Sequence, residues 1–347
     1  MMRTVLLGDV IELAYGKSLP QRSRVSGRFP VFGSNGRVDT HNKSLVGGPG
    51  IIVGRKGSVG EVIWSKQDFW PIDTTYYVKL KNPDDDLRYW YYVLKTLGLN
   101  KLNSHSAIPG LNRDVAYIKQ VPLRSTLEQE KIANILGSLD EKIELNRRMN
   151  ETLEQLGQAL FRHYFVDKAK QSNGNIQTIP LGKKFHPKRG RSLQARDMIC
   201  GDTPVISGGL KPAGFHNEAN TTTPVITISA SGANAGFVSV WGESVWSADS
   251  SYIDSTTTEY VYTYYLFLKN KQKEIYDMQT GSGQPHIYPK HIELLEIANL
   301  PDCDFNDFEQ RVRPLFDMIH KNKKQIDYLS NIRDLLLPKL ISGEIEI

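Results

Sequence analysis

The sequence predicts a mixed α+β protein: two similar domains related by pseudo-two-fold symmetry and joined by two long antiparallel coiled-coil helices. Three observations predict this. The chain repeats itself once, with a period of about half its length. Each half carries short apolar runs punctuated by glycine turns. Each half is followed by a long segment with a sustained seven-residue apolar repeat.

The duplication comes first because it organises everything else. Leu7-Gly8 recurs as Leu181-Gly182, and Pro30-Val31 as Pro204-Val205, each of the latter followed by a glycine turn (Gly33 to Gly36; Gly208-Gly209). His41-Asn42 recurs as His216-Asn217. The run Ile51 to Val53, then glycines, then Trp64 recurs as Val225 to Ile228, Gly232, Gly236 and Trp241. Trp70 to Asp73 recurs as Trp246 to Asp249. So many matches in one order, with drift of only a few residues, mean duplication. Duplication in turn predicts a pseudo-dyad, which suits the two-fold relation of a DNA duplex.

Within each half, Ile51 to Val53 and Val59 to Trp64 have the look of strands. An aromatic-rich helical stretch follows in both halves, Leu87 to Leu97 and Tyr260 to Gln279. Asp84 to Asp86 supply an N-cap for the first of these, and Gly98 a stop. The four tryptophans Trp64, Trp70, Trp241 and Trp246 sit within apolar strands and are expected in the core. The domain boundaries read as 1–122, a central helical spacer 123–170, a second domain 171–301 and a distal helical spacer 302–347.

The first long segment, 126–165, contains no proline. Its seam places Ile132, Leu139, Asn146, Leu153 and Leu160 at one heptad position and Ile135, Lys142, Met149, Leu156 and His163 at the other. The second segment places Val312, Ile319, Ile326 and Arg333 at one position and Leu315, Asn322, Leu329 and Leu336 at the other. A 3.5-residue seam of this length predicts that the two helices pack together. Asn146 and Asn322 fall inside the seam, where a polar residue weakens packing but sets register. Forty residues make a rod of roughly 60 Å, longer than the 34–36 Å or so between half-sites one DNA turn apart.

Composition narrows the class. The net charge is +5, and the excess sits on residues 1–122, with 17 Lys/Arg against 10 Asp/Glu. A second basic cluster, Lys183 to Arg196, contains no acid. The two cysteines, Cys200 and Cys303, lie far apart with no metal-ligand neighbourhood. No apolar run at the start of the chain is long enough for a signal or a span. The expectation is a cytoplasmic protein with no metal site and no membrane contact.

Catalytic signatures are missing. There is no glycine-rich cofactor turn with an Asn/Asp-Pro-Pro-aromatic motif and no GxxxxGK[ST] loop. Pro301-Asp302 opens a nuclease-like pair with no Glu-x-Lys behind it. What the loops do hold is DNA-reading chemistry: side chains that donate and accept in pairs for base edges, and cations or exposed amides for phosphates. In the first half these are Ser34, Asn35, Arg37, His41, Asn42, Lys43, Arg55, Lys56, Ser58, His105 and Asn112. In the second they are Lys188, Arg189, Arg191, Lys211, His216, Asn217, Ser231, Asn234, Ser282, Gln284, His286 and Tyr288. Ile132, Leu139, Asn146, Leu153, Ile319, Asn322, Ile326 and Leu329 are the expected spacer contacts. Two other classes compete: a protein-binding coiled-coil adaptor, and a stand-alone nuclease or methyltransferase.

Several stretches resemble the specificity subunits of type I restriction–modification systems. They are Gly54 to Gly60 followed by Phe69 to Thr74, Ser106 to Asn112, Gly281 to Ile287, the helix from Glu128 to Phe165, and the ending Leu337 to Ile345. The resemblance covers nearly the whole chain. It implies two target-recognition domains that read a split double-stranded DNA target, and helices that set the gap and dock two methyltransferase subunits. Motor-nuclease subunits join them. S-adenosylmethionine, ATP and Mg2+ would belong to those partners and none to this chain, which would hold no catalytic residue. One departure stands out: Ser229 to Gly236 replaces the Gly-Arg-Lys-Gly turn of the first half, so the two domains need not hold DNA alike.

Overall fold

The structure, a computed structural model, describes residues 3–102, 110–168, 176–281 and 283–347. The chain divides into two compact units, Met1–Ile143 with Asp327–Ile347, and Glu144–Ile326.

The first unit contains β1 (Arg3–Leu6), β2 (Ile11–Tyr15), β3 (Phe29–Gly33), β4 (Gly36–His41), β5 (Gly50–Gly54), β6 (Val62–Ser65), β7 (Trp70–Pro71), β8 (Thr75–Leu80) and β9 (Gln120–Leu123). Among the described residues they form a four-stranded sheet in the order β2-β8-β5-β6, a three-stranded sheet β4-β3-β7 and a pair β1-β9. The central strand β5 reads Gly-Ile-Ile-Val-Gly and is buried throughout, as a continuous apolar run should be. The pair β3 and β7 is parallel, with Val31 opposite Trp70.

The second unit contains β10 (Thr178–Pro180), β11 (Lys188–Arg189), β12 (Thr203–Ile206), β13 (Gly214–His216), β14 (Val225–Ser229), β15 (Val238–Trp241), β16 (Trp246–Ser247), β17 (Ser250–Asp254) and β18 (Glu296–Ala298). Their sheets are β11-β17-β14-β15, β13-β12-β16 and β10-β18. Strand for strand this is the order of the first unit. Even the parallel pair recurs, with Val205 opposite Trp246. The duplication read from scattered dipeptides is therefore a duplication of fold, and the class is the mixed α+β expected.

An aromatic helix closes each core. In the first unit it spans Leu87–Thr96, and the Asp86 side chain caps it by accepting from the Tyr89 N–H at 2.7 Å. Gly98 follows in the left-handed region, φ +60°, which only glycine adopts at little cost. In the second unit the helix spans Val261–Asn270 and is continued by Gln272–Asp277.

The central long helix spans Thr126–Phe161 and ends in wider turns over Arg162–Asp167; the distal long helix spans Asp302–Ser342. Within each unit their segments run antiparallel. In the first, Asp140 pairs with Arg333 at 2.8 Å. In the second, the Asn146 amide donates to Gln325 at 2.8 Å and the Asn322 amide to Asn150 at 2.9 Å. Asn146 is fully buried and Asn322 nearly so. Each seam asparagine thus has its own polar partner on the facing helix.

The seam differs from its expected form on one side. Ile132, Leu139, Asn146 and Leu153 face inward, but Ile135, Lys142, Met149, Leu156 and His163 are all exposed. The inward set is Leu136, Ile143, Asn150, Gly157 and Tyr164, one residue further on. Steps of three and four residues both stay on one helix face, so the spacing left either side open. Tertiary contacts chose. Tyr92 of the aromatic helix donates to Asp140 at 2.7 Å, and Arg88 reaches Glu141 at 2.6 Å and the Gly137 carbonyl at 3.0 Å. The ends of the helices also belong to the domain cores more than to a coiled coil. Ile132 and Leu136 pack with Leu7, Trp90, Val93 and Leu340. Ile319 packs with Phe316, Tyr262 and Val238.

Candidate nucleic-acid interface

The repeated element that gathers most candidate residues is the turn after the central strand. In the first unit the Gly60 N–H closes on the Gly54 carbonyl at 2.8 Å. Gly57 sits at φ +82° and Gly60 at φ +75°. A side chain at Gly57 would be strained there, and its Cβ would lie 3.1 Å from the Ser34 hydroxyl. Two neighbouring loops are tied to this turn. Arg55 and Lys56 donate their backbone N–H to the Thr74 carbonyl at 2.9 and 3.1 Å, and Leu111 donates to the Arg55 carbonyl at 2.8 Å. Ser34, Arg55, Lys56, Ser58 and the segment from Gly110 are thereby brought together.

The second unit builds the same knot. Gly236 donates to the Ser229 carbonyl at 2.8 Å, Ala230 to the Asp249 carbonyl at 3.1 Å, and Ile287 to the Ala230 carbonyl at 2.9 Å. Gly232 and Gly236 repeat the positive φ, +80° and +87°. The Lys56–Gly110 bridge of the first unit has its counterpart in Ser231–His286.

Comparison with known proteins agrees with this duplicated architecture. Residues 2–155 match the family described as type I restriction modification DNA specificity domain. The chain is 25% identical over 338 residues to the type I restriction enzyme MjaIX specificity subunit of Methanocaldococcus jannaschii, covering 86% of this chain and 78% of that one. It is 26% identical over 340 residues to a putative type I specificity subunit of Mycoplasma genitalium, covering 90% and 86%. The fold is that of a crystallised type I restriction–modification S subunit from M. genitalium, with a TM-score of 0.70 at 22% identity, covering 98% of this chain and 96% of that one. Residues 2–155 are thus similar to the type I DNA specificity domain, and most of the chain is similar to named type I specificity subunits. Among the described residues no cluster of His, Cys, Asp and Glu could hold a metal, and no helix is long and apolar enough to cross a membrane.

The structure sorts the candidate residues into three groups. The first is exposed or half-exposed, Arg37 on β4 and the rest on loops: Ser34, Asn35, Arg37, Lys43, Arg55, Lys56, Ser58, Arg191, Lys211, Gln284, His286 and Tyr288. Among the described residues, none of its Lys or Arg members forms an ion pair. Asn42, Lys43 and Asn217 are exposed but lie at the other end of their hairpins from the turn. Phe29 faces His41 in the register of β3 and β4, so about 17 Å of strand separates Asn42 and Lys43 from Gly36.

The second group makes contacts within the protein. His41 and His216 are buried, 7% and 5% exposed. Each imidazole Nδ1 accepts a backbone N–H, from Val25 and from Ile199, both at 3.0 Å. Each ring packs edge-on against its own repeat's tryptophan, Trp70 at 5.5 Å and Trp246 at 5.1 Å. Both rings serve the protein's own backbone. Asn112 caps the helix Arg113–Tyr117 by accepting from the Asp114 N–H at 2.8 Å. Lys188 is held by Asp254 at 3.4 Å and Thr256 at 2.6 Å, and Arg189 by Asp249 at 3.0 Å. The Ser231 hydroxyl donates to Asp249, and the Asn234 amide to the Gly208 carbonyl at 3.3 Å. The third group, His105 and Ser282, lies outside the described residues.

Three residues at the first unit's turn were not foreseen: Tyr15, Lys17 and Arg113. Lys17 was legible. It stands as far after Leu7 as Arg191 does after Leu181, and each carbonyl accepts from the corresponding tryptophan indole, Trp70 at 2.9 Å and Trp246 at 2.8 Å. Tyr15 packs on Tyr76, 5.1 Å between ring centres. Burial first, then the neighbouring Tyr15, pushes the Tyr76 hydroxyl up to about 12; it stays protonated and donates to the Leu111 carbonyl at 3.1 Å.

Proposed function

We infer that this chain is a non-catalytic type I specificity subunit that reads a bipartite double-stranded DNA target, one half-site per unit. The observation that carries the reading is the duplicated glycine turn, knotted to the same neighbouring loops in both units, with unpaired cations beside it in the first and donor–acceptor side chains beside it in both. Backbone amides and cations at such a turn suit phosphates, and Ser, Asn, Gln and Arg suit base edges. Different side chains on one scaffold suit different half-sequences.

In this proposal the two long helices set the gap between half-sites and dock two methyltransferase subunits, which carry S-adenosylmethionine and methylate an adenine in each half. Motor-nuclease subunits supply ATP- and Mg2+-dependent translocation and cleavage. The assembly works in the cytoplasm. The test is to map methylated adenines in cells that express this chain with its methyltransferase partner. A two-part motif with a fixed gap is the expected result; a contiguous motif, or methylation independent of this chain, overturns the proposal.

A further inference from the structure

The two units differ in charge at a place where their backbone hydrogen bonds match. In the first, Tyr15 ends β2 with its ring half exposed. The Arg55 guanidinium lies 5.1 Å from the ring centre, and the Arg113 guanidinium 5.0 Å. The backbones on both sides are anchored, Arg55 by Thr74 and Leu111, and Arg113 at the start of a helix capped by Asn112. Neither guanidinium forms an ion pair with any described residue. Two like charges gathered on one aromatic ring repel each other until an anion comes between them. Ten N–H donors and a ring that favours cations are complementary to an anion with several acceptor oxygens.

The equivalent place in the second unit is neutral. Backbone pairing equates Gly16, which donates to the Thr75 carbonyl, with Gly190, which donates to the Ser250 carbonyl. Arg189 therefore stands where Tyr15 does, and Ala230 stands where Arg55 does. Arg189 is paired with Asp249 at 3.0 Å, and the other oxygen of that carboxylate accepts from the Ser231 hydroxyl. Here the protein supplies its own anion.

We propose that Arg55, Tyr15 and Arg113 form a clamp for a DNA backbone phosphate on the first unit alone, and that the second unit has no phosphate clamp at the matching position. The proposal rests on the reading of the chain as a subunit that binds duplex DNA. It assigns the sequence-independent part of the affinity unequally between the two units.

The experiment measures binding of the complex with methyltransferase subunits to a duplex carrying the mapped target, and to a scrambled duplex, across a salt series. Arg113→Gln should lower the slope of log affinity against log salt by about 1 and weaken both duplexes by the same factor. Arg113→Lys, which keeps the charge, should keep the wild-type slope; this also separates lost charge from misfolding. Arg189→Gln should leave the slope unchanged. A wild-type slope in Arg113→Gln, or an equal fall of slope in Arg189→Gln, overturns the clamp while leaving DNA binding intact. A wild-type complex that binds neither duplex instead overturns the DNA-binding reading itself.

Discussion

Glu309, on the first turns of the distal helix, gives the sharpest test of how the second unit is held together. Its carboxylate is 3% exposed. It accepts the Tyr262 N–H at 3.2 Å, the Thr263 N–H at 2.8 Å and the Thr263 hydroxyl at 2.7 Å, so it caps the aromatic helix from outside. Arg313 lies at 3.4 Å. Glu309→Ala would leave two backbone donors and a hydroxyl unpaired in a buried place. At about 1–3 kcal/mol for each unsatisfied group, with partial relief by water, the cost is about 3–5 kcal/mol. Glu309→Gln keeps one oxygen for the N–H groups and should cost about 1 kcal/mol. The first unit already uses this solution: Gln129, 1% exposed, accepts from the Asp86 N–H at 2.8 Å. Burial outweighs the donated hydrogen bonds and Arg313, and holds the Glu309 carboxyl above the usual range. A carboxyl raised in the folded state adds stability below its unfolded pKa and loses it as pH rises through the folded one. The Gln variant should therefore gain on wild type as pH rises. The assay is denaturant unfolding of the full chain, with hydrogen exchange of Val261–Asn270 to localise the loss. Equal destabilisation by Gln and Ala would refute the capping argument.

Three further outcomes are expected. His41→Ala or His216→Ala should cost about 1–3 kcal/mol, because a part-buried N–H loses its acceptor, yet leave discrimination between target and scrambled DNA unchanged in a binding assay. Burial, with Lys323 and Lys324 nearby, depresses His320 to about 4; a base depressed in the folded state loses its stabilising contribution as pH falls from about 6.5, so His320→Asn should flatten the acid limb of a pH–stability curve between about pH 6.5 and 4. Inserting four residues within 140–150 lengthens the central helix by roughly 6 Å, about two base-pair steps, and should change the tolerated gap in the methylation motif; an unchanged gap contradicts the ruler role.

Much of the architecture was legible because its signals are local. Asp86 before Leu87 and Gly98 behind the helix are caps that act within a few residues. Gly57 and Gly232 mark turns that need positive φ. The repeated His and Trp dipeptides were legible as a repeat, but their purpose was not. A histidine beside an asparagine in a loop has the composition of a base reader. Only the approach of Val25 to His41, and of Ile199 to His216, shows that the ring serves the backbone. The same holds for charge. Lys188 and Arg189 look free in a stretch without acids, and their partners Asp254 and Asp249 arrive from β17 and the bend before it, some sixty residues later.

The sequence by itself determined the duplication, the α+β class, the family resemblance, the two long helices and the Ile132–Asn146 side of their seam, because repeats, caps and periodicity are written in neighbouring residues. Tertiary structure decided which second face the central helix buries, which cations keep their charge unpaired, and which loop residues are exposed. Those outcomes depend on groups that meet only after strands distant in sequence pair, and desolvation and ion pairing act on distance in space.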